Sequence, residues 1–505
     1  MPAVAFYTLG CKVNQYDTAG LAALFSARGY RVVRPGEAAD VCVINTCTVT
    51  ARSQAKSRQA VRRACRLYPG AVVAVAGCGS EVFPQDFALP GVEVVAGVRD
   101  RRRLPDLVEA ALAARAAGAG AARLPGAGAG PPHGGGEPPG GWGGLNPAAA
   151  EPVAADDGWW QGVPAAGGGG YREGRAGTGW PEGPAGCTAG SPRDFEEMPG
   201  GLVEGRTRGV LKVQEGCDQR CAYCLVPRAR GPARSRRLAG ALEEARALAA
   251  RGCREVVVCG THLGAYGRDG GGGREAEPLL ELLSGLTRIP GLERVRLSSI
   301  EPMDVGPGLL EAVALWPRLC RHLHLPLQSG SDRVLRAMGR PYTSAQFRGL
   351  VERLRALNPE VAVTTDLMVG FPGESDDDFL LTLRLVEEVR PSRLHVFRFS
   401  ARPGTPAACL PGRVPEAVSE GRSRRLIDLG SRLSLEFHRR YVGRQVEVLL
   451  EGRGGGFTSN YIWVRLRGPA GAAGRLCRAL VAAADASGLA GEPETAAAGP
   501  GSGQG

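Results

Sequence analysis

The stretch from about residue 117 to 206 is dominated by glycine, proline and alanine, as in GAGAGPPHGGGEPPGGWGG, and it limits what the chain can fold into. Its aliphatic residues are too few and too irregular to bury an area that offsets the entropy of ordering it. We therefore expect a disordered linker between two folded blocks. Four of the six tryptophans, Trp142, Trp159, Trp160 and Trp180, lie in it and are read as solvated. A 505-residue chain exceeds one ordinary core, so two to three domains are expected. The expected divisions are residues 1–115, the linker 117–206, residues 207–440, residues 441–490 and a frayed tail 491–505.

The folded blocks are legible from periodicity. Residues 1–115 alternate apolar runs with helical patterns, as a parallel α/β domain does. From Leu211 to Tyr441 six strand-like runs recur: LKVQEG, EVVVCG, RVRLSS, HLHLPL, VAVTTDLMVG and RLHVFRF. Helical segments such as LAGALEEARALAARG separate them. That alternation predicts parallel βαβ units closing into a partial or full barrel. After Tyr441, QVEVLLEG and NYIWVRLRG predict a small all-β module. The fold class is α/β with a C-terminal β-barrel. No run reaches the roughly 18 uncharged apolar residues that span a bilayer, and the N-terminus lacks the marks of a signal peptide, so a cytoplasmic location without membrane attachment is expected.

Fourteen cysteines in that compartment point to metal ligation rather than a disulfide framework. Cys11, Cys47 and Cys78 each follow an apolar strand-like run (VAFYTLG, VCVINT and AVVAVAG). Carboxyl ends of parallel strands share one sheet edge, where α/β folds place ligands, so these three can converge. Three thiolates at one edge suit an iron–sulfur cluster with one open iron. Cys42, Cys65, Cys253, Cys259, Cys320, Cys409 and Cys477 are read as structural, and Cys187 as a linker bystander.

The loop VQEGCDQRCAYCLVP is more specific. Cys217, Cys221 and Cys224 have CxxxCxxC spacing directly after a strand, at the end of a barrel where chemistry is placed. A zinc ribbon would need a fourth ligand in a second knuckle, and none is present nearby. This loop resembles that of the radical S-adenosylmethionine superfamily. Together with TLGCKVNQYD, VINTCTV, VAGC, LQSGSD, TTDLMVGFPGE and RPGTP, the chain resembles the methylthiotransferases within it. TLGCKVNQYD and GTHLGAYGRD are most similar to the branch acting on N6-threonylcarbamoyladenosine in tRNA.

The resemblance implies two [4Fe-4S] clusters and S-adenosylmethionine as cofactors. The cluster on Cys217, Cys221 and Cys224 would yield a 5′-deoxyadenosyl radical that takes hydrogen from C2 of the adenine. The cluster on Cys11, Cys47 and Cys78 would supply or carry sulfur, and a second S-adenosylmethionine the methyl group. Tyr223 matches the aromatic residue common before the last cysteine, and Glu301 is a candidate contact for S-adenosylmethionine. His262 and His324 are read as hydrogen-bonded structural groups. Implied partners are the tRNA anticodon loop, an electron donor such as flavodoxin or ferredoxin, and a sulfur donor.

Two further features bear on RNA. Net charge is +11, and Arg228, Arg230, Arg234, Arg236 and Arg237 follow the cluster loop, as phosphate contacts would. The C-terminal strands resemble the family's TRAM-like RNA-binding barrel, where Tyr461 and Trp463 either stack on bases or fill the core. The chain departs from the family pattern at Arg228, usually an aromatic, and after Cys78, where CYAQ-like residues are usual. Competing readings are a methylthiotransferase for isopentenyladenosine in tRNA or for a ribosomal-protein aspartate, and a non-catalytic metal-binding RNA module.

Overall fold

The structure, a computed structural model, describes residues 1–117, 124–125, 194–200, 207–269, 277–452, 454–468 and 471–494. The N-terminal block is one parallel sheet. Its elements are β1 (Ala3–Thr8), α1 (Lys12–Ala27), β2 (Arg31–Val33), β3 (Val41–Thr46), α2 (Ala51–Leu67), β4 (Val72–Gly77), α3 (Cys78–Val82), β5 (Val94–Val95), α4 (Leu104–Ala116) and β6 (Leu124–Pro125). Strand order is β2-β1-β3-β4-β5-β6. Every residue of β3 and β4 is buried, which is why both read as unbroken apolar runs: each face of the sheet carries its own apolar cluster beneath helices. The chain runs outward from β1 to β2 and then crosses back to β3, creating a switch point between the carboxyl ends of β1 and β3.

The second block comprises β7 (Arg208–Glu215), α5 (Val226–Arg230), β8 (Arg234–Ser235), α6 (Leu238–Ala250), β9 (Glu255–Gly260), α7 (Pro278–Thr287), β10 (Arg294–Leu297), α8 (Pro307–Leu315), β11 (His322–His324), α9 (Asp332–Ala337), α10 (Ser344–Leu357), β12 (Ala362–Val369), α11 (Asp376–Val389), β13 (Arg393–Arg398) and α12 (Glu416–Arg439). All six expected strands form. Parallel pairing runs β7-β9-β10, continues to β11 through bridges Val295↔Leu319 and Ser299↔His324, and ends β11-β12-β13. β8 pairs antiparallel on the outer side of β7, and among the described residues β8 and β13 do not pair, so the barrel is open. Leucine and valine side chains beneath the outer helices make the largest apolar core. α11 starts at Ser375, whose hydroxyl and the Asp378 carboxylate cap each other's backbone N–H groups; Asp376, Asp377 and Asp378 favour the positive end of the helix.

The third block is a closed barrel of β14 (Gln445–Glu451), β15 (Gly455–Thr458), β16 (Trp463–Leu466), β17 (Leu476–Asp485) and β18 (Gly488–Pro493), in order β14-β15-β16-β18-β17. It seals the amino end of the larger barrel. Arg296, only 1% exposed, pairs with Glu255 at 2.6 Å and donates to the carbonyls of Thr458 (3.1 Å) and Ser459 (2.9 Å). Arg294 donates to the carbonyl of Phe457 at 2.9 Å.

Two expectations change here. Residues 194–200, assigned to the linker, pack between the first two blocks: Met198 is buried, Glu196 pairs with Arg101 at 2.7 Å and Glu197 with Arg236 at 2.7 Å. At the other end of that segment Leu124–Pro125 adds a strand beside β5. The partners of both pieces are distant in sequence, so composition could not reveal them. The rest of the segment, with its four tryptophans and Cys187, and most of the expected tail lie outside the described residues. No helix among the described residues is long and apolar enough to cross a membrane.

Arg296→Met would leave the fully buried Glu255 carboxylate with Arg294, at 3.8 Å, in place of its 2.6 Å partner. We expect a loss of about 3–5 kcal/mol. Urea denaturation reads the loss, and limited proteolysis between α12 and β14 shows whether the small barrel detaches.

Candidate active site

Cys11, Cys47 and Cys78 follow β1, β3 and β4 at one edge of the first sheet, with Cys11 and Cys47 flanking the switch point. Two of the three follow a glycine in the left-handed region, and the glycines are required there. A Cβ on Gly10 (φ +103°) would lie 2.8 Å from the Cys47 Cβ, and one on Gly77 (φ +105°) 2.3 Å from the Asn45 Oδ1. Asn14, one turn into α1, ties the edge together. It donates to the carbonyls of Leu9 (2.8 Å) and Thr46 (3.0 Å), and its Oδ1 lies within 4.0 Å of the sulfurs of both Cys11 and Cys78.

The second set sits in the loop after β7. Left-handed Gly216 turns the chain, the N–H of Cys217 donates to the carbonyl of Gly231, and the N–H of Ala222 to that of Met338. Arg340 donates to the Cys221 sulfur at 3.2 Å and pairs with Glu301. Glu301 is thus salt-bridged beside the cluster loop, and Tyr223 packs with Met368 and Phe399 around Met338 and Phe371. His262 bonds Asp304 at 2.7 Å and also Cys217. Burial opposes its charge, but those two bonds raise His262 to about 10.

All six thiols are free of disulfides. Burial pushes Cys47 and Cys221 up and takes Cys78 and Cys224 to about 12. Without metal these four sulfurs stay protonated at neutral pH; a bound metal centre, helped by the guanidiniums at Cys78 and Cys221, is what such a donor set is suited to hold as thiolate.

Arg230 joins the two sets. It ends α5, six residues beyond Cys224, and donates from Nε to the Cys78 sulfur of the other domain at 3.2 Å. Its remaining N–H groups reach Asn14 (2.6 Å), Asp17 (2.9 Å) and Glu215 (2.7 Å). Asp17 and Glu215 also hold Lys212 and Arg101, Glu196 joins through Arg101, and Arg234 lies 3.9 Å from Glu215, so three carboxylates face four cations. Nearby, Arg402 of the RPGTP motif donates to Thr48 at 2.6 Å, one residue past Cys47. These interdomain arginines were missed by sequence reading, which took the run after the cluster loop as phosphate contacts. That expectation is corrected: Arg230, Arg234 and Arg236 are buried and engaged with Glu215, Asp17, Glu197 and Glu244, leaving Arg228 and Arg237 exposed. Tyr461 is likewise no open platform; its ring stacks on Phe457 at 4.8 Å and meets His322 at 4.9 Å. Cys409 is exposed rather than packed, whereas Cys253 bridges the Gly209 N–H and the Glu255 carbonyl.

Residues 211–386 match the radical SAM superfamily, and residues 3–97 match the uncharacterised protein family UPF0004. Over 95% of its length the chain is 33% identical to the threonylcarbamoyladenosine tRNA methylthiotransferase of Bacillus subtilis, covering 93% of that protein. The chain belongs to the radical S-adenosylmethionine tRNA methylthiotransferases. It is also 33% identical to the Thermotoga maritima protein of the same name (89% of this chain, 87% of that one). It is 32% identical to the tRNA-2-methylthio-N(6)-dimethylallyladenosine synthase of Geotalea uraniireducens (96% of this chain, 97% of that one). Among solved structures, a radical S-adenosylmethionine methyltransferase from Kitasatospora setae shares the fold, with a TM-score of 0.51 and 16% identity over 81% of this chain and 75% of that one. As a member of this family the chain is an enzyme that uses two [4Fe-4S] clusters and S-adenosylmethionine.

Glu215→Gln leaves Arg101, Lys212 and Arg230 sharing one carboxylate fewer at the domain junction. We expect about 3–5 kcal/mol of destabilisation, measured by urea denaturation, with the N-terminal block more readily released by protease.

Proposed function

We propose that this enzyme converts N6-threonylcarbamoyladenosine in the tRNA anticodon loop to its 2-methylthio derivative. The observation that carries this reading is the pairing of two cysteine triads through Arg230, in a chain whose relatives named for that nucleoside match it over nearly its full length. Relatives named for the dimethylallyl nucleoside are almost as similar overall, so the local string TLGCKVNQYD decides between them.

Cys11, Cys47 and Cys78 hold one cluster in the domain of residues 1–115; Cys217, Cys221 and Cys224 hold the other in residues 207–440. When bound, the cofactors supply a radical that takes hydrogen from C2 of adenine, and the sulfur and methyl group that replace it. The protein's part is placement. Arg230 keeps Cys78 against the loop that follows Cys224, so the two centres face one substrate. Tyr223 and Glu301 shape the S-adenosylmethionine site, with Arg340 holding the Glu301 carboxylate beside Cys221. Residues 441–490 add an RNA-binding surface. An electron donor such as flavodoxin or ferredoxin, a sulfur donor and a cytoplasmic location complete the reading.

Mass spectrometry of tRNA nucleosides from a strain lacking the gene tests it. Loss of the methylthio group from threonylcarbamoyladenosine is expected, and its persistence overturns the proposal. Anaerobically reconstituted enzyme should carry about eight irons. Cys221→Ala should hold about four and no longer cleave S-adenosylmethionine, whereas Cys47→Ala should also hold about four yet keep cleavage and lose sulfur insertion.

A further inference from the structure

We infer that Lys12 binds the carboxylate of the nucleoside's threonyl arm and so selects this substrate over one with an apolar arm; the inference rests on the nucleoside proposed above. The chain contains only three lysines, at positions 12, 56 and 212. Lys212 is fully buried and bound to Asp17 and Glu215. Lys12 is half-buried, yet among the described residues its ammonium makes no ion pair or hydrogen bond; its recorded contact is with the Tyr461 ring, 5.9 Å away. It directly follows Cys11, so its backbone starts from the first cysteine triad while its ammonium reaches to Tyr461.

The surroundings show what the ammonium lacks. Tyr461 touches His322 at the start of β11, and the basicity of His322 is held well below its ordinary value by burial, then by Arg296, His324 and Lys12. Lys12 therefore faces the histidine-lined wall of the open barrel. On that wall His324, Asp366 and His395 stand on three adjacent strands, β11, β12 and β13. The acid among them is already engaged: Asp366 bonds His324 at 3.2 Å and His395 at 3.1 Å, one imidazole on each carboxylate oxygen. Arg208 and Arg296, also at the Tyr461 ring, have Glu451 and Glu255 as partners. Of the cations around this chamber, Lys12 is the one without an anion among the described residues.

A substrate carboxylate supplies that anion, while a polar group of the same arm suits the Nε2 of His395, whose Nδ1 is the nitrogen bonded to Asp366; both nitrogens of His324 are taken by Asp366 and Thr364. An isopentenyl arm would instead bury the ammonium against hydrocarbon with no partner, a cost that rejects it.

The test uses anaerobically reconstituted full-length enzyme and four anticodon stem-loop RNAs: unmodified, with threonylcarbamoyladenosine, with its methyl ester, and with isopentenyladenosine. Fluorescence anisotropy gives each Kd. Wild type should bind the free-acid RNA at least about tenfold more tightly than the ester or isopentenyl forms. Lys12→Gln should weaken free-acid binding by about 10- to 100-fold and leave ester binding unchanged. Lys12→Arg, which keeps the charge, should restore most of the preference, and iron content and circular dichroism confirm that both variants are folded and loaded. If wild type prefers the isopentenyl RNA, the nucleoside proposal and this inference both fall. If wild type prefers the free acid but Lys12→Gln keeps the same acid-to-ester ratio, the inference alone is overturned.

Discussion

The domain arrangement depends on one buried ionic cluster. Asp17 of the first sheet domain and Glu215 of the barrel, 2% and 0% exposed at the side chain, share Arg101, Lys212 and Arg230. Burial alone would hinder ionisation of both acids, but the three cations hold Glu215 well below the usual carboxylate range and Asp17 at about 2. Taking these charges out of water is costly, and only nearly complete mutual pairing offsets it. The cluster therefore ties pairing to docking: Asp17 and Arg101 of the first domain meet Glu215, Lys212 and Arg230 of the barrel only when the two domains are together. Because Arg230 is both a member of the cluster and a donor to Cys78, correct docking and correct placement of the first cysteine triad are a single event.

Backbone geometry makes the rest of the site possible. Gly10 and Gly77 occupy conformations that side-chain-bearing residues rarely adopt, at points where a Cβ would strike Cys47 or Asn45. The Gly-Cys pairs in TLGC and VAGC thus reflect crowding of strand ends around one centre, with Asn14 replacing backbone partners that the turning chain gives up.

Much of this was legible from residue order. The six barrel strands, the burial of β3 and β4, and the C-terminal barrel follow from apolar periodicity, which responds to the same burial that forms the elements. Convergence of Cys11, Cys47 and Cys78 followed from their places after strands. Side-chain partnership across domains was not legible. The run containing Arg230, Arg234 and Arg236 looks like a solvated basic surface because Asp17, Glu197 and Glu244 lie elsewhere in the sequence. Residues 194–200 looked disordered for the same reason: Met198, Glu196 and Glu197 find their partners only in α1 and around Arg101 and Arg236.

The sequence by itself determined the two cysteine triads, the strands that present them and the family, since these are carried by spacing and periodicity along one chain. Only the tertiary structure decided which charges are buried, that Arg230 and Arg402 reach from the barrel to the first triad, and that Lys12 stands without an anion among the described residues, beside a wall of histidines. Charge is visible in a sequence, but its energy depends on distance and on how much water remains, and both are set by docking.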